Sequence, residues 1–429
     1  MDILIADVLG EIALVLVVSS LLGAIAQRCG QPRVIGQILA GVLLGPTFLG
    51  RLPGHLTGHL FPKTALVPLN VLANVAIVIF MFVVGYELDL GLLRGHRRGA
   101  PVIAAPVIAA LALLSPLALG IGAVFAFHSG FESLGGPHHL TRSFVLFMGV
   151  AVSITALPVL AAIVRERGIA GTRAGTISLS SAAIMDALAW LLLAAALVGT
   201  AGRPNRPLAV TIALLAGFAV AMLAVVRPAV RWWMTQRASV LTSPLPVALT
   251  LALGSAWVTA TLGLHPVFGA FLAGLTMPRL DSTRDDAVLR PLEQIGDLLL
   301  PLFFVVTGLS LNVGSLGPEA FAMLGLICVI AVGGKIGPGF AGARLAGLTP
   351  QESATVAVLV NTRGLTELIA LNVGLSAGII SRSLFSVLVL MALVTTLATA
   401  PLLSLIRLPA TAAGPEQVPA GQLSAADDA

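Results

Sequence analysis

The chain has 429 residues, a mean hydropathy of +1.02, 57% hydrophobic residues and only 10% charged ones. Soluble domains carry about 25% charged residues, so this composition excludes a soluble enzyme, a disordered tail protein and a nucleic-acid binder. The pI of 10.2 rests on a net charge of just +5, and Cys29 and Cys328 form neither a disulfide framework nor a metal-finger spacing. The remaining class is an all-α polytopic membrane protein.

A helix needs about 20 mostly apolar residues to cross a bilayer. Apolar runs between charged or Gly/Pro punctuation predict thirteen spans, near 5–27, 34–49, 65–87, 100–125, 143–164, 174–200, 208–230, 244–262, 264–278, 292–312, 319–342, 351–374 and 383–406. The first is preceded by Asp2, Asp7 and Glu11, with no basic leader region, and is expected to be retained rather than cleaved. The third closes on Glu87 and Asp89 beside Arg94, a position that suits interfacial anchoring as well as ion entry. Asn74 in the same span reads as a packing hydrogen bond between helices.

The fifth span contains Ser153-Ile154-Thr155-Ala156-Leu157-Pro158. Pro158 lacks an N–H, so the carbonyl of Ile154 loses its helical partner and must find protein, water or an ion. The hydroxyls of Ser153 and Thr155 lie beside it. Asp186 falls mid-span in the sixth helix, where a carboxylate costs about 2.5–3.5 kcal/mol on the lenient insertion scale and is normally kept for ion or proton handling. Asp297 lies at the predicted start of the tenth span and reads as a helix-capping charge. In the eleventh, Lys335 is the natural charge partner for Asp186, because a buried lysine can release its proton where an arginine cannot. The twelfth holds Asn361-Thr362-Arg363-Gly364-Leu365-Thr366-Glu367, polar and glycine-interrupted at mid-span. Arg363 and Glu367 stand i,i+4, and the simpler reading pairs them with each other. The histidines fall in loops, with His265 at a helix start, and show no metal spacing.

Two stretches recur. Val34–Gly41 and Val267–Gly274 share five of eight residues, and Gly85-Tyr86-Glu87-Leu88-Asp89 echoes Gly308-Leu309-Ser310-Leu311-Asn312. The matches lie seven spans apart, so the second set of six helices begins on the opposite membrane face. This predicts an inverted repeat: residues 1–202, a linker helix in 203–240, residues 241–408, and a short disordered cytoplasmic tail, 409–429. Inverted repeats with matching broken helices point to a secondary transporter with its site near the midplane. The basic residues set the orientation. With the N-terminus outside, sixteen of the 24 Lys and Arg residues are cytoplasmic and six are external, while Lys335 and Arg363 sit within spans.

These segments together resemble the cation:proton antiporter superfamily, in the branch of Kef-type potassium antiporters and plant cation/proton exchangers, over about residues 30–406. The pieces that carry the resemblance are GQILAGVLLGP (36–46), FVVGYELD (82–89), SITALPVLAAI (153–163), AAIMDALAW (182–190), LPLFFVVTGLSLN (300–312), the Lys335 segment and NTRGLTELI (361–369). The resemblance implies a homodimer in the plasma membrane, a core of spans 4–6 and 11–13, and a scaffold made of the rest. It also implies that Asp186 binds the ion, that Lys335 pairs with or competes for it, that Thr155 sits at the crossing, and that Glu87 matches a family acidic position. Regulation through the nucleotide-binding domain of Kef-type proteins is not expected. Met185 departs from the pattern, since the residue before the key aspartate is usually Asp, Asn or Gln. A thioether is a poor ligand for a hard cation. Either another oxygen replaces it, or the site binds weakly, or the role has changed.

The leading expectation is a secondary antiporter exchanging Na⁺ or K⁺ for H⁺ by alternating access. It needs no cofactor and no metal beyond the transported alkali cation, performs no enzymatic reaction, and is electroneutral because Met185 cannot titrate. A sodium-coupled organic-anion symporter and a non-transporting pH or ion sensor of the same fold are the alternatives.

Overall fold

The computed structural model describes residues 2–31, 33–51, 60–87, 101–169, 171–197, 208–236, 244–262, 265–279 and 282–406. Among them the secondary structure is helical, without strands. The first six predicted spans become α1 (Asp2–Arg28), α2 (Arg33–Leu44), α3 (Lys63–Glu87), α4 (Pro101–Ala126), a short α5 (His128–Ser133), the broken pair α6 (Arg142–Ser153) and α7 (Leu157–Glu166), and α8 (Arg173–Leu197). The seventh is α9 (Leu208–Ala221) joined to α10 (Arg227–Gln236) through a π-helical turn, Met222–Val226. The last six are α11 (Leu245–Thr261), α12 (Pro266–Thr276), α13 (Ser282–Leu309), α14 (Pro318–Leu345), the broken pair α15 (Pro350–Val360) and α16 (Leu365–Ser376), and α17 (Arg382–Leu405).

Eleven described segments are long and apolar enough to cross a membrane, and α11 and α12 are shorter apolar helices. These thirteen fall on the thirteen predicted spans. The largest boundary error concerns the tenth. Helix α13 begins at Ser282, so Asp297 lies inside the helix with an exposed side chain and caps nothing. Glu11 lies within α1 rather than ahead of it and is buried. Asn74 donates to the Asn70 carbonyl of its own helix at 2.7 Å, not to a neighbouring helix. The proposed limits near 203–207 and 237–243, the tail 409–429, Asp89, Arg94 and three loop histidines (His55, His59 and His96) lie outside the described residues.

The helices sort into two bundles by what they pack against. One contains α1, α2, α3, α11, α12 and α13; the other contains α4, α6, α7, α8, α14, α15, α16 and α17. Extensive helix–helix packing runs within each bundle. Between them lies a seam bridged by Trp190 edge-on to Phe268, by Asn372 Nδ2 donating to Thr307 Oγ1 at 2.9 Å, and by the Asn312 N–H on Ser386 Oγ at 3.4 Å.

The recurring glycines explain the first bundle. Apolar helices gain no hydrophobic drive from associating in lipid, so close backbone approach between small residues holds them together. A Cβ added at Gly36 would lie 2.2 Å from the Leu22 carbonyl oxygen, and one at Gly269 would lie 2.0 Å from that of Ser255. Gly41 and Gly308 press backbone to backbone, with an added Cβ on Gly308 only 2.3 Å from Gly41. Gly274 and Gly85 do the same against Phe82 and Phe271, at 2.1 and 2.2 Å. The contact α1–α2 thus has its counterpart in α11–α12, and α2–α13 in α12–α3. The duplicated sequence motif is a duplicated packing contact.

Gly269→Ala should therefore force two helices apart, at about 1–3 kcal/mol or more for overpacking. Gly254→Ala, in α11 with open space around it, serves as control. The expected outcome, read by thermal melting in detergent, is a clear loss of melting temperature for the first variant and parent-like melting for the second.

Candidate functional site

The site grows from one missing N–H. Because Pro158 cannot donate, helix α6 stops at Ser153, Ile154 turns extended, and residues 154–156 have no regular structure before α7 begins. Opposite it, α15 stops at Val360, and residues 361–364 lead into α16. The two breaks cross. The Ala156 N–H donates to the Thr362 carbonyl at 3.0 Å, and Thr155 Oγ1 donates to the Val360 carbonyl at 3.0 Å. A side chain at Gly364 would meet Val159 at 2.6 Å, so glycine lets the second break lie flush on the first.

Lys335 reaches this crossing from the middle of α14 and is fully buried. Its ammonium donates to the freed Ile154 carbonyl at 2.6 Å, to Thr155 Oγ1, and more distantly to the Val360 carbonyl at 3.4 Å. A protein cation therefore meets the exposed carbonyl ends of both half-helices, where the backbone partial charge is negative. Asp186, in the middle of α8, is 1% exposed, and neither of its carboxylate oxygens has a hydrogen-bond partner among the described residues. The direct Asp186–Lys335 contact expected from the sequence is thus not formed. The two are electrostatic neighbours, but the lysine spends its donors on the crossing. Met185 is buried beside Thr155, whose Oγ1 lies 3.7 Å from the thioether sulfur.

Arg363 and Glu367 form the expected i,i+4 ion pair, at 2.9 Å with both side chains wholly buried. Arg363 does more. Its guanidinium donates to the Ala151 carbonyl at 3.1 Å and to that of Val152, so it caps the end of α6 from the opposite half-helix. Thr396 on α17 donates to the Arg363 carbonyl at 2.8 Å. The planar fork suits this position because it holds two adjacent carbonyls and a carboxylate at once, which an ammonium cannot reproduce. Asn361 ends α15, fully buried, with neither amide atom partnered among the described residues.

Two sequence candidates are not gathered at the crossing. Ser153 Oγ turns back to the Val150 carbonyl of its own helix at 2.9 Å. Glu87 ends α3 in the other bundle with an exposed side chain. Sequence reasoning missed a cavity of about 620 Å³ at one end of the seam, lined by Asn70, Ser310, Asn312, Arg382, Ser383 and Ser386. These polar residues sit at the ends of apolar runs, where they read as ordinary loop flanks. Beside the crossing on α2, Val34, Ile35 and Ile38 close against Val159 and Gly364 around only about 10 Å³.

A two-bundle helical membrane protein with crossed broken helices and a buried carboxylate is the architecture of an ion-coupled transporter. The chain belongs to the sodium/hydrogen exchanger family: the family's transmembrane region, described as "sodium/hydrogen exchanger, transmembrane", matches residues 14–405. Among similar proteins, cation/H⁺ antiporter 20 of Arabidopsis thaliana is 37% identical over 415 residues, covering 93% of this chain and 48% of the plant protein. K⁺/H⁺ antiporter 1 of Saccharomyces cerevisiae is 34% identical, covering 92% and 46%. The chain thus spans about half the length of these relatives. The Na⁺/H⁺ antiporter NhaS4 of Synechocystis is 33% identical, with 92% of this chain and 96% of that protein covered. The fold is similar to that of the sodium proton antiporter MjNhaP1 from Methanocaldococcus jannaschii, with a TM-score of 0.67 at 15% identity over 93% of this chain and 96% of the other.

Removing the Lys335 ammonium orphans the Ile154 carbonyl, and each buried polar group left unsatisfied costs about 1–3 kcal/mol. Lys335→Ala is expected to melt well below the parent in detergent. Arg363→Lys keeps the charge but loses the fork, and it too is expected to melt lower. A parent-like melt for either would show that its carbonyl contacts add nothing to stability.

Proposed function

We propose that the chain is a secondary active antiporter that exchanges a monovalent alkali cation, Na⁺ or K⁺, for protons, with Asp186 as the shared binding group. The observation that carries this reading is a wholly buried carboxylate with both oxygens unpartnered among the described residues, set in the bundle that also holds the crossed half-helices. Such a group is tolerated in lipid only when something neutralises it. A proton and an alkali cation each do so, one at a time, and their competition for one site is the coupling. Thr155 and the Ile154 carbonyl add oxygens at the crossing, and Lys335 is the built-in cation that an arriving ion has to contend with.

The two-bundle division gives the moving parts. The bundle of α4, α6–α8 and α14–α17 carries Asp186 and the crossing, and it slides or rocks against the other bundle along the seam. With the N-terminus outside, as the arginine distribution suggests, the 620 Å³ cavity is an external vestibule and the Val34–Ile38 side faces the cytoplasm. The described state is then open outward at its mouth and sealed inward, with Asp186 itself still occluded. A homodimer in the plasma membrane completes the reading. The symporter alternative would call for cationic groups free to hold an anion, whereas the Lys335 amine and the two terminal nitrogens of Arg363 are committed to backbone carbonyls. The relatives that cover this chain are named for cation/H⁺ exchange, which supports antiport over a silent sensor.

Asp186→Asn keeps the size and shape of the side chain but cannot exchange a proton for a cation. In proteoliposomes loaded with a pH dye, the parent should show cation-triggered dequenching, and Asp186→Asn should show none while eluting and melting as a folded protein. Continued exchange by the Asn variant would remove Asp186 from the mechanism.

Stoichiometry follows from the neighbours. Met185 holds no proton, Glu367 is tied to Arg363 and Glu11 lies on α1 in the other bundle, so a single carboxylate is left beside the crossing to exchange one proton for one monovalent cation. Exchange should be electroneutral. The rate driven by Na⁺ is expected to be the same with and without a valinomycin-clamped membrane potential. A steep dependence on the potential would mean that a second proton moves, with Lys335 the first residue to examine.

A further inference from the structure

The antiport reading leaves a buried amide at the crossing without a role, and the inference drawn from it rests on the same reading. Asn361 is fully buried at the end of α15, and its amide oxygen and nitrogen are both without partners among the described residues. A buried amide left unsatisfied is destabilising, and native proteins rarely keep one without a use. Its neighbours define that use. The preceding residue is Val360, whose carbonyl accepts from Thr155 and, at 3.4 Å, from Lys335. Helix α15 packs along α8, the helix of Asp186, and Val360 and Met185 share one buried cluster.

The oxygens at the crossing divide into two sets. The Ile154 carbonyl, the Thr155 hydroxyl and the Val360 carbonyl are all engaged by Lys335. The carboxylate of Asp186 and the amide of Asn361 are not engaged by any described residue. Thr366 Oγ1 and Glu367 Oε2 are also unpartnered, but both belong to α16, which packs on α6, α7 and α17 rather than along α8, and Glu367 is bound to Arg363. Hard alkali cations take oxygen ligands, and a thioether serves them poorly, so Met185 cannot supply the neutral donor beside the carboxylate. We propose that Asn361 does: its amide oxygen is a ligand of the transported cation, paired with the Asp186 carboxylate across the α8–α15 contact. One anionic and one neutral oxygen then meet the ion from two different helices. The cation, unlike the proton, ties α8 to α15.

The test separates the two ligands. Na⁺-driven exchange is measured in proteoliposomes for the parent, Asn361→Ala, Asn361→Gln, and Asn361→Ala combined with Met185→Asn. Loss of one ligand should raise the apparent KM for Na⁺ about tenfold, the worth of one charge-assisted contact. Met185→Asn, which restores an amide oxygen next to Asp186, should bring that KM back down. The second readout is the rise in melting temperature that NaCl gives over choline chloride, expected in the parent and diminished in Asn361→Ala. Should Asn361→Ala not fold, Asn361→Gln, which keeps a buried amide but moves it by one methylene, carries the test, and its KM is expected to rise as well. A parent-like KM and melting shift in the variant that folds overturns the inference. So does a raised KM that Met185→Asn fails to lower, because that would make Asn361 a positioning residue only. Loss of exchange in Asp186→Asn with no change on altering Asn361 overturns this inference alone, whereas a parent with no cation-driven exchange overturns the antiport reading along with it.

Discussion

The hydrogen bond from Lys335 to the Ile154 carbonyl is the interaction on which the rest of this molecule turns. Breaking a helix inside hydrocarbon releases polar backbone that lipid cannot satisfy, and here the break is duplicated. The protein answers with two buried cations: Lys335 for Ile154 and Val360, and Arg363 for Ala151 and Val152. Each cation reaches across from another helix, so capping a broken end also fastens α6 to α14 and to the α15–α16 connection. The same act that makes an extended backbone tolerable at this depth gives the site its rigidity.

Close glycine contacts occur in both bundles, with Gly120 against Gly149 in the second, but around the crossing buried polar groups add to them. Around Gly36, Gly41, Gly85, Gly269, Gly274 and Gly308 the helices touch backbone to backbone, with no room for a methyl group. Around the crossing, cohesion comes from buried cations, hydroxyls and one ion pair. Among the described residues the seam between the bundles is bridged more thinly, by an aromatic edge contact and three polar contacts, the third from Gln31 Nε2 to the Leu397 carbonyl at 3.5 Å, along with apolar surface. Hydrogen bonds of this kind contribute about 0.5–1.5 kcal/mol each, so the plane of easiest slip is the boundary between the bundles.

Much of this is legible in the residues. Thirteen apolar runs map onto thirteen helical segments because hydropathy in a membrane protein reports a hard constraint on length. Pro158 names the broken carbonyl, and the i,i+4 spacing of Arg363 and Glu367 names their pairing. The recurring glycines are visible in the sequence as two matching motifs, though not that each lies against the backbone of a partner helix. Other features are hidden because the sequence carries no distances. Lys335 and Asp186 look like a pair when only charge and depth are known, and only geometry reveals that the lysine is engaged by backbone oxygens. Asp297 reads as a cap because apolarity, not helicity, marks the start of its span; the helix runs on through Ser282–Gly296, where polar residues carry it beyond the apolar core. The cavity near Arg382 is invisible because it is assembled from residues of both bundles, separated by hundreds of positions in the chain.

Every oxygen and cation at the crossing comes from a single bundle. Carried rigidly, a binding site of that kind has the same shape whichever compartment it faces, and its ranking of one ion against another travels with it. Any difference between inner and outer affinity then has to arise in the approaches, which the other bundle helps to line. On the proposed antiport reading, selectivity and sidedness become separately evolvable traits: the first is written in the crossing, the second in the walls that the crossing would move past.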